Sequence, residues 1–237
     1  MNQSNKEYKS FLTLSGVHTF LNENPNIYFN INEKDQNELK VNPSIDLYNV
    51  SSIKELIPII ANHKTNLQKT ASNLVVFDGN EESKLMIIGE APGKDEDIQG
   101  KPFVGRAGIL LNKMLSAINI NREDVYITNV VPYRPPENRT PTNEEIIEFL
   151  PFLQRQIEII KPSIIYLLGS TAAKAILSTP ISIGKLRGKW HNYKSINCNN
   201  TINVLVSYHP AFLLRSPNFK KEAWVDLQIL KSKLDEN

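Results

Sequence analysis

Apolar and polar positions change their rhythm near residue 84 of this 237-residue chain. From there, four short runs are almost continuously apolar: residues 84–89 (KLMIIG), 125–130 (VYITNV), 163–169 (SIIYLLG) and 203–208 (NVLVSY). Short runs without alternation suit strands buried on both faces of a parallel sheet. Helical periods lie between them. Leu110, Leu111, Met114, Leu115 and Ile118 share one face. Thr142 with Glu145 three residues on is a capping box, and it opens a helix to about Ile160, with Pro162 just beyond. Ser170–Leu177 and residues 220–234 carry two further helical patterns. Upstream, Ser51-Ser52 before Ile53, Leu56, Ile57 and Ile60 reads as a capped helix start. The alternation predicts an α/β fold, a three-layer α/β/α sandwich around a four-stranded, mainly parallel sheet.

Residues 1–50 follow no sustained period. They are rich in Asn, Glu and Lys, and four Lys against six acids leave them at −2. Phe11, Leu12, Leu14, Val17, Phe20 and Leu21 suggest one short amphipathic helix. The expected organisation is a partly irregular N-terminal extension, 1–50, before a folded domain, 51–237.

Composition adds three limits. With 41% hydrophobic and 22% charged residues the chain can bury a core without a disulfide or metal staple. Its single cysteine, Cys198, excludes an internal disulfide and any four-cysteine metal or iron–sulfur site. A lone thiol fits a reducing compartment. The first residues show no signal or transit pattern, and no run approaches the roughly 20 apolar residues of a membrane span. A cytoplasmic protein with no membrane association and no obligate protein partner is expected.

A net charge of +2 argues against a uniformly basic nucleic-acid binder. Its distribution changes that picture. Residues 185–221 hold Lys185, Arg187, Lys189, Lys194, Arg215, Lys220 and Lys221 and no acid. Trp190, Tyr193, Tyr208 and Phe212 are interleaved with them, and Arg106, Arg134 and Arg139 fall in other strand-end loops. Such a stretch suits a polyanionic partner, with Arg106, Arg139, Lys185, Arg187 and Arg215 as candidate contacts to it.

In sheets of this kind, sites form at the carboxyl ends of the strands. The first run leads into GEAPG (89–93), where Gly89, Ala91, Pro92 and Gly93 bend the chain and hold Glu90 beside the bend. This is neither GxGxxG nor a P-loop. A plain turn explains the pentapeptide equally well. Phe103 lies in GKPFVG, as a core aromatic or as a stacking platform for a planar ligand. Asn129 ends the second run; its amide either satisfies loop backbone or matches the edge of a nucleobase. His209, before Pro210, follows the fourth run. Leu213 and Leu214 are core residues or a wedge that enters a base stack.

Taken together, GEAPGKDED, GKPFVGRAGILLNKML, YITNVVPYRPPENRTPT, LLGSTAAKAIL, KLRGKWH and SYHPAFLLR resemble the family 4 uracil-DNA glycosylases in order and spacing, from about residue 69 to 234. The resemblance implies that the domain at 51–237 is uracil-DNA glycosylase-like and takes uracil-containing DNA. Glu90 would position water or stabilise the sugar cation, with Glu96 a second acidic candidate. Phe103 would stack on flipped uracil, Asn129 would read its edge, and His209 would hydrogen-bond its O2. Leu213, Leu214 and Arg215 would fill and clamp the opened duplex. The implied activity is monofunctional hydrolysis in base excision repair, with no external cofactor. Members carry a four-cysteine iron–sulfur cluster, and those positions fall here on Asn62, Thr65, Tyr133 and Phe149, none of them Cys. The 4Fe-4S cluster is therefore expected to be absent, with Tyr133 and Phe149 packing the space. The short PYRPPENR segment lacks the basic, His-containing insertion of the branch that traps the abasic sugar covalently. Two other readings stay open: a cluster-less member that holds DNA with weak or no cleavage, and a mononucleotide enzyme on a similar sheet.

Overall fold

The computed structural model describes residues 47–194 and 201–236. The helix expected near Phe11–Leu21, nearly all of the 1–50 extension and Cys198 lie outside the described residues.

The four expected strands form the parallel centre of the sheet: β2 (Leu85–Gly89), β3 (Tyr126–Asn129), β4 (Ile164–Leu168) and β6 (Thr201–Ser207). The described sheet has six strands, however: with β1 (Phe77–Gly79) and β5 (Trp190–Lys194) at its edges, the order is β1-β3-β2-β4-β6-β5. Strand β1 pairs antiparallel with β3, and β5 antiparallel with β6. Neither edge strand carries a doubly buried signature. β1 is three residues long, and in β5 (WHNYK) only Tyr193 is buried.

Alternate residues of the central strands feed two cores, as the pleat requires. Met86, Ile88, Ile165, Leu167, Val204 and Val206 face one core. There they meet α1 (Ile53–Asn62), α4 (Asn143–Ile160) and α5 (Ser170–Leu177). Leu85, Ile87, Ile164, Tyr166, Leu168 and Leu205 face the other. This second layer is built by α3 (Arg106–Ser116), α7 (Pro210–Arg215) and α8 (Lys220–Asp235). Two short helices complete the set: α2 (Lys94–Gln99) and α6 (Ile183–Leu186). The α/β/α sandwich follows directly from this double-sided burial.

The caps read from sequence are in place. Ser52 Oγ accepts from the Glu55 amide at 3.2 Å to open α1. At α4, Thr142 Oγ1 accepts from the Glu145 amide at 3.3 Å, and Glu145 Oε2 accepts from the Thr142 amide at 2.8 Å. The packed region begins slightly before residue 51. Val50 is buried, and its carbonyl accepts from Arg155 Nε at 2.8 Å.

Candidate active site

Three of the central strands end at one rim and deliver the site. After β2 the chain bends through Glu90-Ala91-Pro92-Gly93 into α2; β3 ends on Asn129; β6 leads to His209 at the N-cap of α7. A cleft of about 170 Å³ is lined there by Glu90, Ala91, Pro92, Gly93, Phe103, Asn129, Arg139 and His209, together with Glu96, Ala107, Asn138 and Ala211. The sequence-predicted pocket residues are therefore brought together. Gly89 lies immediately behind them. A Cβ there would collide with the Asn129 amide oxygen and the Phe103 ring, so only glycine lets these two side chains close over the strand end.

Each side chain has a distinct electrostatic situation. Nδ1 of His209 accepts from the Ala211 amide at 3.1 Å, which places the proton of the neutral ring on Nε2. Burial, and secondarily the charge of Arg215, lower the imidazole pKa from 6.5 to about 4. The ring is therefore neutral at physiological pH. Its Nε2–H has no partner among the described residues. Asn129 is buried, yet its side-chain amide likewise makes no hydrogen bond among the described residues. The amide atoms are open to the cleft, where water or a ligand can meet them; the fully buried side-chain polar atom without a partner among the described residues is Tyr166 Oη.

Phe103 takes a left-handed backbone (φ 52°) that an aromatic residue adopts only when its surroundings impose it. Arg122 imposes it. Its guanidinium donates to the carbonyls of Pro102 at 2.6 Å and Phe103 at 3.0 Å, while its Nε holds Asp78 at 2.9 Å. The Phe103 ring stacks beside His209 with centroids 5.5 Å apart. Behind His209, Gly169 (φ 94°) turns β4 into α5 at a point where a Cβ would come within 3.0 Å of the His209 Cβ.

The two acids divide their roles. Glu96 is consumed by backbone: it accepts from the amides of Gly93 at 3.1 Å, Val104 at 3.0 Å and Gly105 at 2.9 Å. It ties the two halves of the cleft loop and has no free oxygen for chemistry. Among the described residues the Glu90 carboxylate has one hydrogen-bond partner, the Thr171 hydroxyl at 2.6 Å, and Glu90 lines the cleft.

Known proteins resemble this chain along most of the same span. The sequence model of the uracil DNA glycosylase superfamily matches residues 76–228. The chain belongs to that superfamily. Type-4 uracil-DNA glycosylase of Archaeoglobus fulgidus is 43% identical over 168 residues, 69% of this chain and 83% of that protein. Its counterpart in Saccharolobus solfataricus is 44% identical over 176 residues, 72% of this chain and 81% of the relative. That of Thermotoga maritima is 45% identical over 151 residues, covering 63% and 76%.

Within this glycosylase-superfamily fold, the candidate DNA contacts separate into two groups. Arg106, Lys185 and Arg215 are exposed and meet no carboxylate among the described residues. Arg187 does not belong with them. Its guanidinium is held by Asp226, fully buried, and by Glu222, and it lies 5.6 Å over the Tyr208 ring. The acids that neutralise it sit just past residue 221, where a count along the basic stretch stops. Arg139 lines the cleft, but both its Nη atoms grip Glu145, at 2.8 and 2.6 Å. Leu213 is also corrected: it is 1% exposed and packs into the core, so it cannot enter a base stack. Leu214 is half-buried and Arg215 exposed on the same helix.

Of the positions that the resemblance assigns to cluster ligands, Thr65, Tyr133 and Phe149 hold side chains that do not fit a cluster. The rings of Tyr133 and Phe149 lie 5.9 Å apart, and Phe149 contacts His63 at 5.8 Å and Phe152 at 6.2 Å. Polar partners close the edges: Gln68 Nε2 donates to Tyr133 Oη at 3.0 Å, and the Thr65 hydroxyl to Glu148 at 3.2 Å. Aromatic carbon thus fills this space. Among the described residues, no group of three or more His, Cys, Asp or Glu is placed to hold a metal. No described helix is long and apolar enough to cross a membrane.

Proposed function

We propose that this enzyme is a uracil-DNA glycosylase that hydrolyses the N-glycosidic bond of a flipped deoxyuridine without an iron–sulfur cluster. The observation that carries the reading is the pairing in one cleft of two groups without a protein partner among the described residues: the Asn129 amide and the Nε2–H of a neutral His209. An amide presents both donor and acceptor, as the uracil edge requires. A neutral imidazole donor stabilises the oxyanion that develops on the departing base and transfers no proton to it.

The steps follow from these positions. The nucleotide must leave the stack before its sugar is accessible. Phe103 offers the flipped base a ring face held by Arg122. As the C1′–N1 bond breaks, its electron pair leaves with uracil, and His209 stabilises the anion. The carboxylate of Glu90, held by Thr171, stabilises the oxocarbenium-like sugar and orients water, whose oxygen bonds to C1′ as its proton passes to the carboxylate and on to solvent, from which the uracil anion is protonated once released. Arg106, Lys185 and Arg215 supply the phosphate contacts. Abasic DNA and uracil are the products, and base excision repair is the process they imply.

The aromatic packing at Tyr133 and Phe149 supports cluster-free action. Purified active protein containing stoichiometric iron and sulfide would contradict that part of the reading. Uracil release from a uracil-containing oligonucleotide tests the activity itself.

A further inference from the structure

We infer that Asn138 is a positioning residue whose amide N–H groups hold the sugar–phosphate side of the flipped nucleotide; this rests on the glycosylase reading above. The residue enters the cleft by an unusual backbone. Glu137 (φ 55°) and Asn138 (φ 56°) are consecutive left-handed residues and neither is glycine. Asn tolerates this region through its short polar side chain, whereas Glu gains nothing from it. Such paired strain persists only where the surroundings impose it, and it collects at ligand sites.

A chain of polar contacts imposes it here. Asp97, buried behind the cleft loop, accepts from the amides of Ser72 at 2.8 Å and Asn73 at 3.0 Å. Its other oxygen lies 3.9 Å from Arg134 Nη1. Arg134 Nε then donates to Asn138 Oδ1 at 2.7 Å. The amide oxygen is taken, which leaves the NH₂ pole of Asn138 as the part without a partner among the described residues, at the wall of the cleft. Asn138 is exposed at the cleft rim, so water satisfies this donor in the free protein and a substrate oxygen that reaches the rim can replace it. The base edge is already matched by Asn129 and His209, and the adjacent Arg139 has its charge neutralised by Glu145. The oxygens left for a neutral donor at the cleft mouth are those of the deoxyribose and its phosphates.

Two substitutions separate this role from a structural one. Asn138→Gly accepts the same φ while removing the amide. Asn138→Asp keeps an oxygen for Arg134 but puts a negative charge in place of the donor, so the neutral Asn138→Gly decides where the two disagree. The assay is single-turnover uracil release from an oligonucleotide, with inhibition by free uracil measured in parallel. Both variants are expected to lose about tenfold or more in rate with the uracil inhibition constant changed by less than about twofold. Rates within about twofold of wild type in both would overturn the assignment. So would a parallel loss of uracil inhibition, which would place Asn138 on the base. If wild-type protein released no uracil, the glycosylase reading itself would fail, a result distinct from either.

Discussion

The Thr171 hydroxyl donates to Glu90 Oε2 at 2.6 Å across 81 residues of sequence. This bond joins the bend after β2 to the first turn of α5 after β4, and among the described residues it is the one side-chain hydrogen bond on the cleft carboxylate. Thr171 is itself buried. Thr171→Val keeps the volume and removes the donor, so Glu90 loses its fixed position. A fall in kcat of about tenfold with little change in KM is expected from steady-state kinetics, and Thr171→Ser should restore most of the rate. Equal rates for Thr171→Val and wild type would show that Glu90 needs no such tether.

His209 is expected to set a limit on the acid side of the pH profile. Its pKa of about 4 lies below the ordinary 6.5, so the folded protein keeps the ring neutral where the unfolded chain would protonate it. The associated stability is complete above about 6.5 and is lost as pH falls from there toward 4. Uracil release should show no His inflection near 6.5. Burial is the larger cause and Arg215 the smaller, so Arg215→Gln should raise the pKa while leaving it below 6.5. Titration of the imidazole carbon-bound protons by NMR reads both values.

Arg187 should behave as a stabilising residue and not as a DNA contact. Asp226 is fully buried between Arg187 and the Ser207 hydroxyl, which donates to it at 2.6 Å. Arg187→Ala leaves that carboxylate without its cation, at a cost of about 3–5 kcal/mol in denaturant unfolding. The slope of DNA affinity against salt should stay that of wild type. Arg215→Ala should do the opposite, lowering the slope by roughly one phosphate contact with unchanged stability.

The central strands, their order along the chain and the carboxyl-end location of the site were legible because double-sided burial writes continuous apolar runs. That Glu90, Phe103, Asn129 and His209 converge on one cleft was legible because each follows such a run or sits in a Gly/Pro-rich loop. What the sequence hid depends on contacts far apart in it. Thr171 reads as an ordinary residue of a helix start until Glu90 is placed beside it. Arg122 lies in a polar turn before β3 and gives no sign that it clamps the Phe103 loop. Arg187 counts as a free cation along the chain because Glu222 and Asp226 come after the basic stretch ends. Leu213 and Leu214 are adjacent apolar residues whose fates diverge only once helix α7 has a buried side. The edge strands β1 and β5 went unseen because short or half-exposed strands carry no run of apolar positions.

Single-turnover release of uracil from single-stranded and duplex uracil-containing oligonucleotides, by wild-type protein and by His209→Ala and Glu90→Ala, tests the central claim most directly. Wild type should release uracil and leave an abasic site, and each variant should lose at least about a hundredfold in rate while remaining folded. Absence of release by the wild type on both substrates, or full activity in both variants, would contradict the account.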